Sequence, residues 1–318
     1  MMRTIKIGSR ASRLALIQAE IIINGLRENY PQYDYEIIKI VTKGDQILDK
    51  TLDKIGGKGL FVKEIQTALI EGEIDLAVHS MKDMPAESPN GLILGAITER
   101  EDPRDVLVSK DQLSWNQLPQ GAKIGSSSLR RQAQLLHLNP ALKIEPIRGN
   151  VETRIKKIET QSLDAVILAA AGLNRLGLGD KISYYFDKET FVPAVGQGAL
   201  GCEIRRNDEE LYEMLQKLNH RETYHAVMAE RSFLKVMEGG CHVPIGAFGE
   251  EIDDTIHLTG MVASADGFQM IKDTVKGPSK DFDEIGRQLA EGMLQRGAKD
   301  LLAEGLLINT TTERIIGG

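Results

Sequence analysis

The chain has 318 residues, 42% hydrophobic and 27% charged, enough for two or three domains with ordinary apolar cores. Its net charge of −7, from 39 Lys+Arg against 46 Asp+Glu, argues against a nucleic-acid binder, whose affinity rests on neutralising phosphates. Two cysteines form no disulfide or metal spacing, MMRTIKIGSR has no apolar signal core, and no run approaches the ~20 apolar residues of a membrane span, so a reduced cytoplasmic protein without membrane or metal partners is expected.

In chain order, strand and helix patterns alternate through the first two thirds. Thr4–Gly8 reads as a short β-branched strand and Ser12–Glu28 as a helix. A strand at Tyr35–Thr42, an amphipathic helix over Gly59–Glu71, and strands at Ile74–His79 and Leu92–Thr98 follow. The Gly/Lys/Asp-rich stretch Lys43–Gly59 has no clean periodicity and reads as a solvated surface loop, with a mobile cover over a cleft as the alternative. The series restarts with a strand at Lys123–Gly125, a helix over Leu129–Leu138, a strand at Leu142–Ile147, a helix at Val151–Glu159 and a buried strand at Leu163–Leu168. Such alternation predicts mainly parallel sheets covered by helices.

A partial internal repeat sharpens this reading. Lys6-Ile7-Gly8-Ser9 recurs as Lys123-Ile124-Gly125-Ser126, each time at a strand end before an Arg-bearing helix, and Ile74-Asp75-Leu76-Ala77-Val78 is echoed by Leu163-Asp164-Ala165-Val166. Two similar α/β lobes with a cleft between them are expected. The last third differs: a helix over Arg221–Glu238 closed by Gly239-Gly240, then strands at Ile245–Glu250, Ile256–Ala263 and Gln269–Lys276, with Asp266-Gly267 turning the last two, and a helix over Phe282–Arg296. Strands in succession with helices apart predict a small α+β domain.

Ligands of open α/β sheets bind outside the carboxyl ends of the strands. Those ends deliver Ser9, Arg10, Ser12 and Arg13, then Ser80, Lys82 and Asp83, and in the second lobe Ser126, Ser127, Ser128, Arg130, Arg131, Arg148 and Arg154, with Arg175 after a short helical stretch. A serine before a helix is commonly only an N-cap, and a single arginine is commonly solvated. Together these residues crowd positive charge at one mouth, which costs energy unless an anion neutralises it. Asp83 in that company either pairs with a cation or acts on the substrate, and general grounds favour the pairing. Cys202 falls in the apolar strand pattern Ala199–Ile204 and reads as a small buried hydrophobe. Cys241 follows a double glycine in a loop, a reachable position for attachment or catalysis, whereas neighbouring His242 gives a Cys-His dyad little support. Gly56-Gly57-Lys58-Gly59 lacks the spacing of a phosphate loop.

The segments IGSRASRLAL, VTKGD, GGKGLFVKE, DLAVHSMKDMP, EREDPRDV, IGSSSLRRQ, RGNVETR, ILAAAGLNRLG, PAVGQGALG and EGGCHVPIG resemble the hydroxymethylbilane synthase (porphobilinogen deaminase) family over roughly Lys6 to Gly246. The resemblance implies two type II periplasmic-binding-protein-like α/β lobes with a cleft between them, residues 1–98 with 199–218 and residues 99–198. A smaller C-terminal α+β domain, residues 219–318, completes it. It further implies a cytoplasmic monomer that condenses four porphobilinogen molecules into hydroxymethylbilane with loss of ammonia, on a dipyrromethane cofactor joined to Cys241. Asp83 would be the catalytic carboxylate. Lys82, Ser128, Arg130, Arg131 and Arg148 would hold the cofactor, and Arg10, Ser12, Arg154 and Arg175 the substrate. Two rivals stand beside this: a non-catalytic anion receptor, which leaves Cys241 without a task, and a cysteine-dependent transferase or hydrolase acting on an acidic substrate.

Overall fold

A computed structural model describes residues 3–46, 62–237 and 244–302, organised around three sheets. The first contains β1 (Thr4–Arg10), β2 (Asp34–Ile40), β3 (Leu76–Ser80), β4 (Leu92–Ile97) and β10 (Leu200–Arg205) in the order β2-β1-β3-β10-β4. The second contains β5 (Asp105–Ser109), β6 (Lys123–Gly125), β7 (Lys143–Glu145), β8 (Ala165–Ala169) and β9 (Tyr184–Tyr185) in the order β7-β6-β8-β5-β9. The two orders correspond term by term, with β6 in the place of β1, β8 in that of β3 and β5 in that of β10.

The repeated sequence has a structural reason. Asp75 donates its N–H to the Lys6 carbonyl at 2.8 Å while its carboxylate accepts from the Lys6 N–H at 3.0 Å. Asp164 repeats the exchange with Lys123 at 2.9 and 2.7 Å. Each aspartate thus satisfies a backbone donor of the neighbouring strand and fixes the parallel register.

Both sheets are mixed, so the expectation of mainly parallel pairing holds for only part of each. β1 runs parallel to β2 and β3, but β10 runs antiparallel to β3 and β4. Likewise β6 runs parallel to β7 and β8, whereas β5 runs antiparallel to β8 and β9. A covering helix imposes parallel pairing only on the strands it joins. β5 and β10 arrive straight from the other lobe and carry no such constraint.

Helix α1 (Arg13–Asn29) starts at Ser12, whose hydroxyl accepts from the Ala15 N–H at 3.3 Å. Its buried face, Gln18, Ala19, Ile22, Ile23 and Leu26, recurs at helical spacing and packs on Ile5, Ile7, Leu76 and Cys202. Within the stretch expected as a loop, Lys43–Gln46 forms a short helix, α2, and residues 47–59 lie outside the described residues. Helix α3 (Lys63–Ile70) falls inside its expected range. In the second lobe α4 (Leu129–Leu138) has the bounds the sequence predicts, followed by α5 (Val151–Thr160) and α6 (Ala170–Arg175). Helix α7 (Glu209–Gln216), not expected from sequence, packs Leu211, Met214 and Leu215 on the first core.

The C-terminal unit is an antiparallel meander of β11 (Ile245–Ile252), β12 (Thr255–Ala263) and β13 (Met270–Pro278), with α8 (Arg221–Val236) and α9 (Phe282–Gln295) packed on it around Phe233, Leu258, Leu289 and Met293. Cys202 is fully buried, and burial pushes its thiol up to about 12, as befits an inert apolar side chain.

One buried ion pair joins the three parts. Arg100, in the first crossover between lobes, contacts both Glu230 carboxylate oxygens from α8 at 2.6 and 3.0 Å and donates to the Gln197 carbonyl of the second crossover at 2.8 Å. Glu230 also accepts from the N–H groups of Gly196 at 2.6 Å and Gly249 at 2.8 Å. Arg100→Met leaves that carboxylate buried without a cation and is expected to cost roughly 3–5 kcal/mol of stability. Urea denaturation checks this; a loss within about 1 kcal/mol would show that the pair is not a structural tie.

Candidate active site

The first lobe brings its functional residues to one pocket through strand direction. β1 ends at Arg10, and β3 ends at Ser80 and runs straight into a 3-10 turn, Met81–Asp83, that carries Lys82 and Asp83. Arg10, Ser12, Gln18, Ser80, Lys82 and Asp83 line a cavity of about 100 Å³, with Val62 and Ile65 of the α3 region as its apolar wall. Ser12 has a double position, since its hydroxyl caps α1 and faces this cavity. Gln18 is hydrogen-bonded to Ser80 at 3.0 Å.

In the second lobe Ser128 caps α4, accepting from the Arg131 N–H at 3.4 Å, and Ser127 donates to the Ile147 carbonyl at 2.7 Å. Arg130 and Arg131 are buried in the first turn of that helix and share a counterion that sequence reasoning missed, Asp105 at the start of β5. Arg130 Nη1 lies 2.6 Å from Oδ2, and Arg131 reaches Oδ1 through Nε at 2.9 Å and Nη2 at 2.7 Å. Further N–H groups donate to the Val192 carbonyl at 2.7 Å and the Ile167 carbonyl at 3.0 Å. Burial would push the Asp105 carboxyl up, but the two guanidinium groups outweigh it and hold it well below the usual carboxylate range. One acid for two arginines leaves a net positive charge.

Side chains of the two lobes face one cleft and act on one another's charges. Burial and the charge of Arg131 lower Lys82 to about 8, against the opposing charges of Asp83 and Asp105. Burial lowers Arg154 to about 10, helped by Arg131, Arg148 and Arg10 and opposed by Asp83. Arg154 also donates from Nε to the Gly149 carbonyl at 2.8 Å. At the rim, Arg13 of α1 pairs with Glu152 of α5 at 2.7 Å. Arg175 borders the crossover: it donates to the Gly198 carbonyl at 2.7 Å, and burial lowers it against the charge of Glu101.

Asp83 corrects the sequence reading. General grounds favour structural pairing with a cation, yet among the described residues its half-buried carboxylate is neither hydrogen-bonded nor ion-paired, and its charge acts on Lys82 and Arg154. Cations drawn close without touching the lone acid suit a site where the acid faces a ligand. Cys241 and His242 lie outside the described residues, as does Gly56-Gly57-Lys58-Gly59. Asp105 and Gln197 contact the predicted site residues Arg130, Arg131 and Lys82 without any signature in the sequence. Gln197 donates from Nε2 to the Pro103 carbonyl at 2.7 Å and to Asp105 Oδ1 at 3.1 Å, and its Oε1 accepts from Lys82 Nζ at 3.4 Å. Both stand in segments quoted above, EREDPRDV and PAVGQGALG, but no periodicity marked them as polar core.

Among the described residues, two buried arginines sharing one acid, and a second acid paired with neither, fit a ligand bearing several carboxylates, as a dipyrromethane does. Comparison with known proteins bears on this directly. Residues 5–213 match the family model described as porphobilinogen deaminase, dipyromethane cofactor binding domain, and residues 224–295 match the porphobilinogen deaminase C-terminal domain. The chain is 65% identical over 313 residues to the porphobilinogen deaminase of Alkaliphilus metalliredigens, covering 97% of this chain and 99% of that one. It is 53% identical to that of Bacillus subtilis, covering 95% and 96%. Among solved structures it is similar to the methionine-binding protein MetQ, at 14% identity over 72% of this chain and 93% of that one, with a TM-score of 0.44. Among the described residues no helix is long and apolar enough to cross a membrane.

Lys82 supplies a pH test with a definite sign. Its lowered value means that positive charge is present below about pH 8 and lost above it, earlier than for an ordinary lysine. Binding of a small polycarboxylate is therefore expected to weaken between about pH 7 and 9 and to take up protons at the upper end, as read by calorimetry in buffers of different ionisation enthalpy. Lys82→Arg should flatten that limb; an unchanged pH dependence in the variant would assign it elsewhere.

Proposed function

We propose, for a chain that belongs to the porphobilinogen deaminase family, that Asp83 is the carboxylate at which the reaction takes place. Lys82, Ser128, Arg130, Arg131 and Arg148 hold the carboxylates of the cofactor, whose anchor is the Cys241 sulfur, and Arg10, Ser12, Arg154 and Arg175 hold those of the substrate. The activity itself is that of a transferase condensing four porphobilinogen molecules head to tail into hydroxymethylbilane, with release of ammonia, in tetrapyrrole biosynthesis. The observation that supports the residue assignment is the Asp83 carboxylate, which among the described residues has no hydrogen bond or ion pair and exerts its charge on Lys82 of one lobe and Arg154 of the other.

A dipyrromethane held by a thioether at Cys241 would supply the free pyrrole α-carbon for chain growth. Each porphobilinogen brings two carboxylates and an aminomethyl arm. Arginine and lysine donors fix those carboxylates, each charge-assisted bond contributing ~1.5–3 kcal/mol. As ammonia leaves, positive charge develops on the substrate ring, and the Asp83 carboxylate stabilises it. The attacking carbon then sheds a proton to the Asp83 carboxylate, which passes it on, so that the ammonia already released ends as ammonium. One C–N bond breaks, one C–C bond forms, and ammonium leaves.

Domain boundaries at residues 1–98 with 199–218, 99–198 and 219–318 belong to the same proposal, supported by where the chain passes from one sheet to the next. So does action as a cytoplasmic monomer. Its support is a cleft whose charges come from two lobes of one chain, and a buried Cys202 thiol that fits a reducing compartment.

Asp83→Asn keeps shape and hydrogen-bonding reach but removes the charge. It is expected to fold, to retain the cofactor mass, and to lose turnover by about 10²-fold or more. Near-normal turnover would remove Asp83 from its role. Intact mass spectrometry of the wild-type protein should show the polypeptide plus one dipyrromethane, and Cys241→Ser the polypeptide alone. The bare polypeptide mass in both would refute the anchor.

A further inference from the structure

Gln197 is buried in the second crossover, between two glycines with positive φ, 70° at Gly196 and 96° at Gly198. Neither neighbour has room for a side chain. A Cβ on Gly196 would stand 2.7 Å from Met81 Cβ and 3.0 Å from the Met81 carbonyl carbon, and one on Gly198 would stand 2.3 Å from the Glu101 carbonyl oxygen. The crossover therefore threads between the turn that carries Lys82 and Asp83 and the first crossover, and Gln197 is the side chain it presents there. Its backbone is fixed independently of that side chain, since Arg100 donates to its carbonyl and Glu230 accepts from the Gly196 N–H.

The amide has one workable orientation. Asp105 and the Pro103 carbonyl need a donor and receive Nε2, while Lys82 needs an acceptor and receives Oε1. Both Asp83 and Asp105 exert an attractive charge on Lys82. A lysine free to settle on either would form an internal ion pair. That pair would cancel the charge offered to a ligand and, at Asp83, quench the acid. A neutral acceptor avoids both outcomes: it holds the ammonium in place with its charge uncancelled. The donor end does the converse for Asp105, leaving that carboxylate to Arg130 and Arg131.

We propose that Gln197 is a positioning residue for the polycarboxylate chain, an uncharged spacer that holds Lys82 of the first lobe apart from the Asp105–Arg130–Arg131 unit of the second. The proposal rests on the reading that these cations bind carboxylates, Lys82 those of the cofactor and then those of each substrate unit joined to it, and it adds the residue that keeps them available.

The test uses holoenzyme, with porphobilinogen kinetics, intact mass and thermal unfolding measured on Gln197→Met, Gln197→Glu, Lys82→Met and the Lys82→Met/Gln197→Met double variant. Gln197→Met is expected to raise KM about tenfold, with kcat changed by less than about threefold. Gln197→Glu, nearly isosteric, should do so at least as strongly, because its carboxylate pairs with Lys82 and repels Asp105. In the Lys82→Met background Gln197→Met should add less than about twofold to KM, since the residue it acts through is gone. Fully additive effects, or a lowered unfolding temperature with KM unmoved, would overturn the spacer role. If Lys82→Met raises KM while both Gln197 variants leave it unchanged, Gln197 loses its role and the cationic cleft stands. If Lys82→Met changes neither KM nor cofactor content, the cleft reading fails and the spacer with it.

Discussion

Repulsion among cations governs this cleft. Two like charges about 5 Å apart cost roughly 3 kcal/mol at the effective dielectric of a protein site near the surface. Arg10, Lys82, Arg130, Arg131, Arg148 and Arg154 all contribute to that field, and the lowered proton affinities of Lys82, Arg131 and Arg154 are its direct trace, with burial as the larger part of each. The chain relieves the strain in an uneven way. Asp105 is fully buried between two arginines, and backbone carbonyls of Val192, Ile167 and Gly149 take further donors. Among the described residues Asp83 pairs with none of these cations. Relief is thus carried far enough for the protein to fold, and under the proposed function the charge that Asp105 leaves on Arg130 and Arg131 is met by carboxylates from outside.

The fold supports this arrangement by repetition. A strand with the sequence Lys-Ile-Gly-Ser, registered by an aspartate on its neighbour, delivers a capped helix start at the mouth of each lobe, with Ser12 on one side and Ser128 on the other. Two crossovers join the lobes, and each feeds an antiparallel strand into the sheet it enters, β5 or β10. Gln197 and Asp105 lie on these crossing segments, so the polar contacts that tune the cleft are made by the same chain that connects its halves. Arg100 and Glu230 bind the crossovers to α8 at that point.

Much of this was legible in the sequence, and the failures have identifiable causes. The lobes could be read because strand and helix periodicities are local and because Lys6–Ser9 returns as Lys123–Ser126. The basic mouth could be read because ligand residues of α/β folds follow strand ends, which is where Arg10, Lys82 and Asp83 stand. β5 could not: Asp105-Val106-Leu107-Val108-Ser109 is a short apolar run whose place in the sheet is set by a partner some sixty residues later, Ala165–Ala169. Asp105 as counterion to Arg130 and Arg131 was hidden for the same reason, being a tertiary contact with no spacing signature. The expectation that Asp83 pairs with a cation failed because it weighed charge alone. Position on a tight 3-10 turn decides which cations reach the carboxylate, and Lys82 is held instead by an amide.

That turn is also where the acid meets the C-terminal domain. Met81 and Met84, on either side of Lys82-Asp83, pack with Val227 of α8, and Arg231 one turn further along donates to the Ala86 carbonyl at 2.9 Å. Helix α8 ends at Val236, a few residues before Cys241 in the chain. The acid is therefore braced against the helix that leads to the proposed anchor, while many of the cations that must follow a lengthening chain belong to the second lobe. If the reaction is repeated at Asp83, as proposed, that acid must stay fixed. A product that gains two carboxylates at each step needs its counter-charges spread over a larger surface. Dividing the two demands between a braced turn and an opposing cationic lobe meets both within one chain.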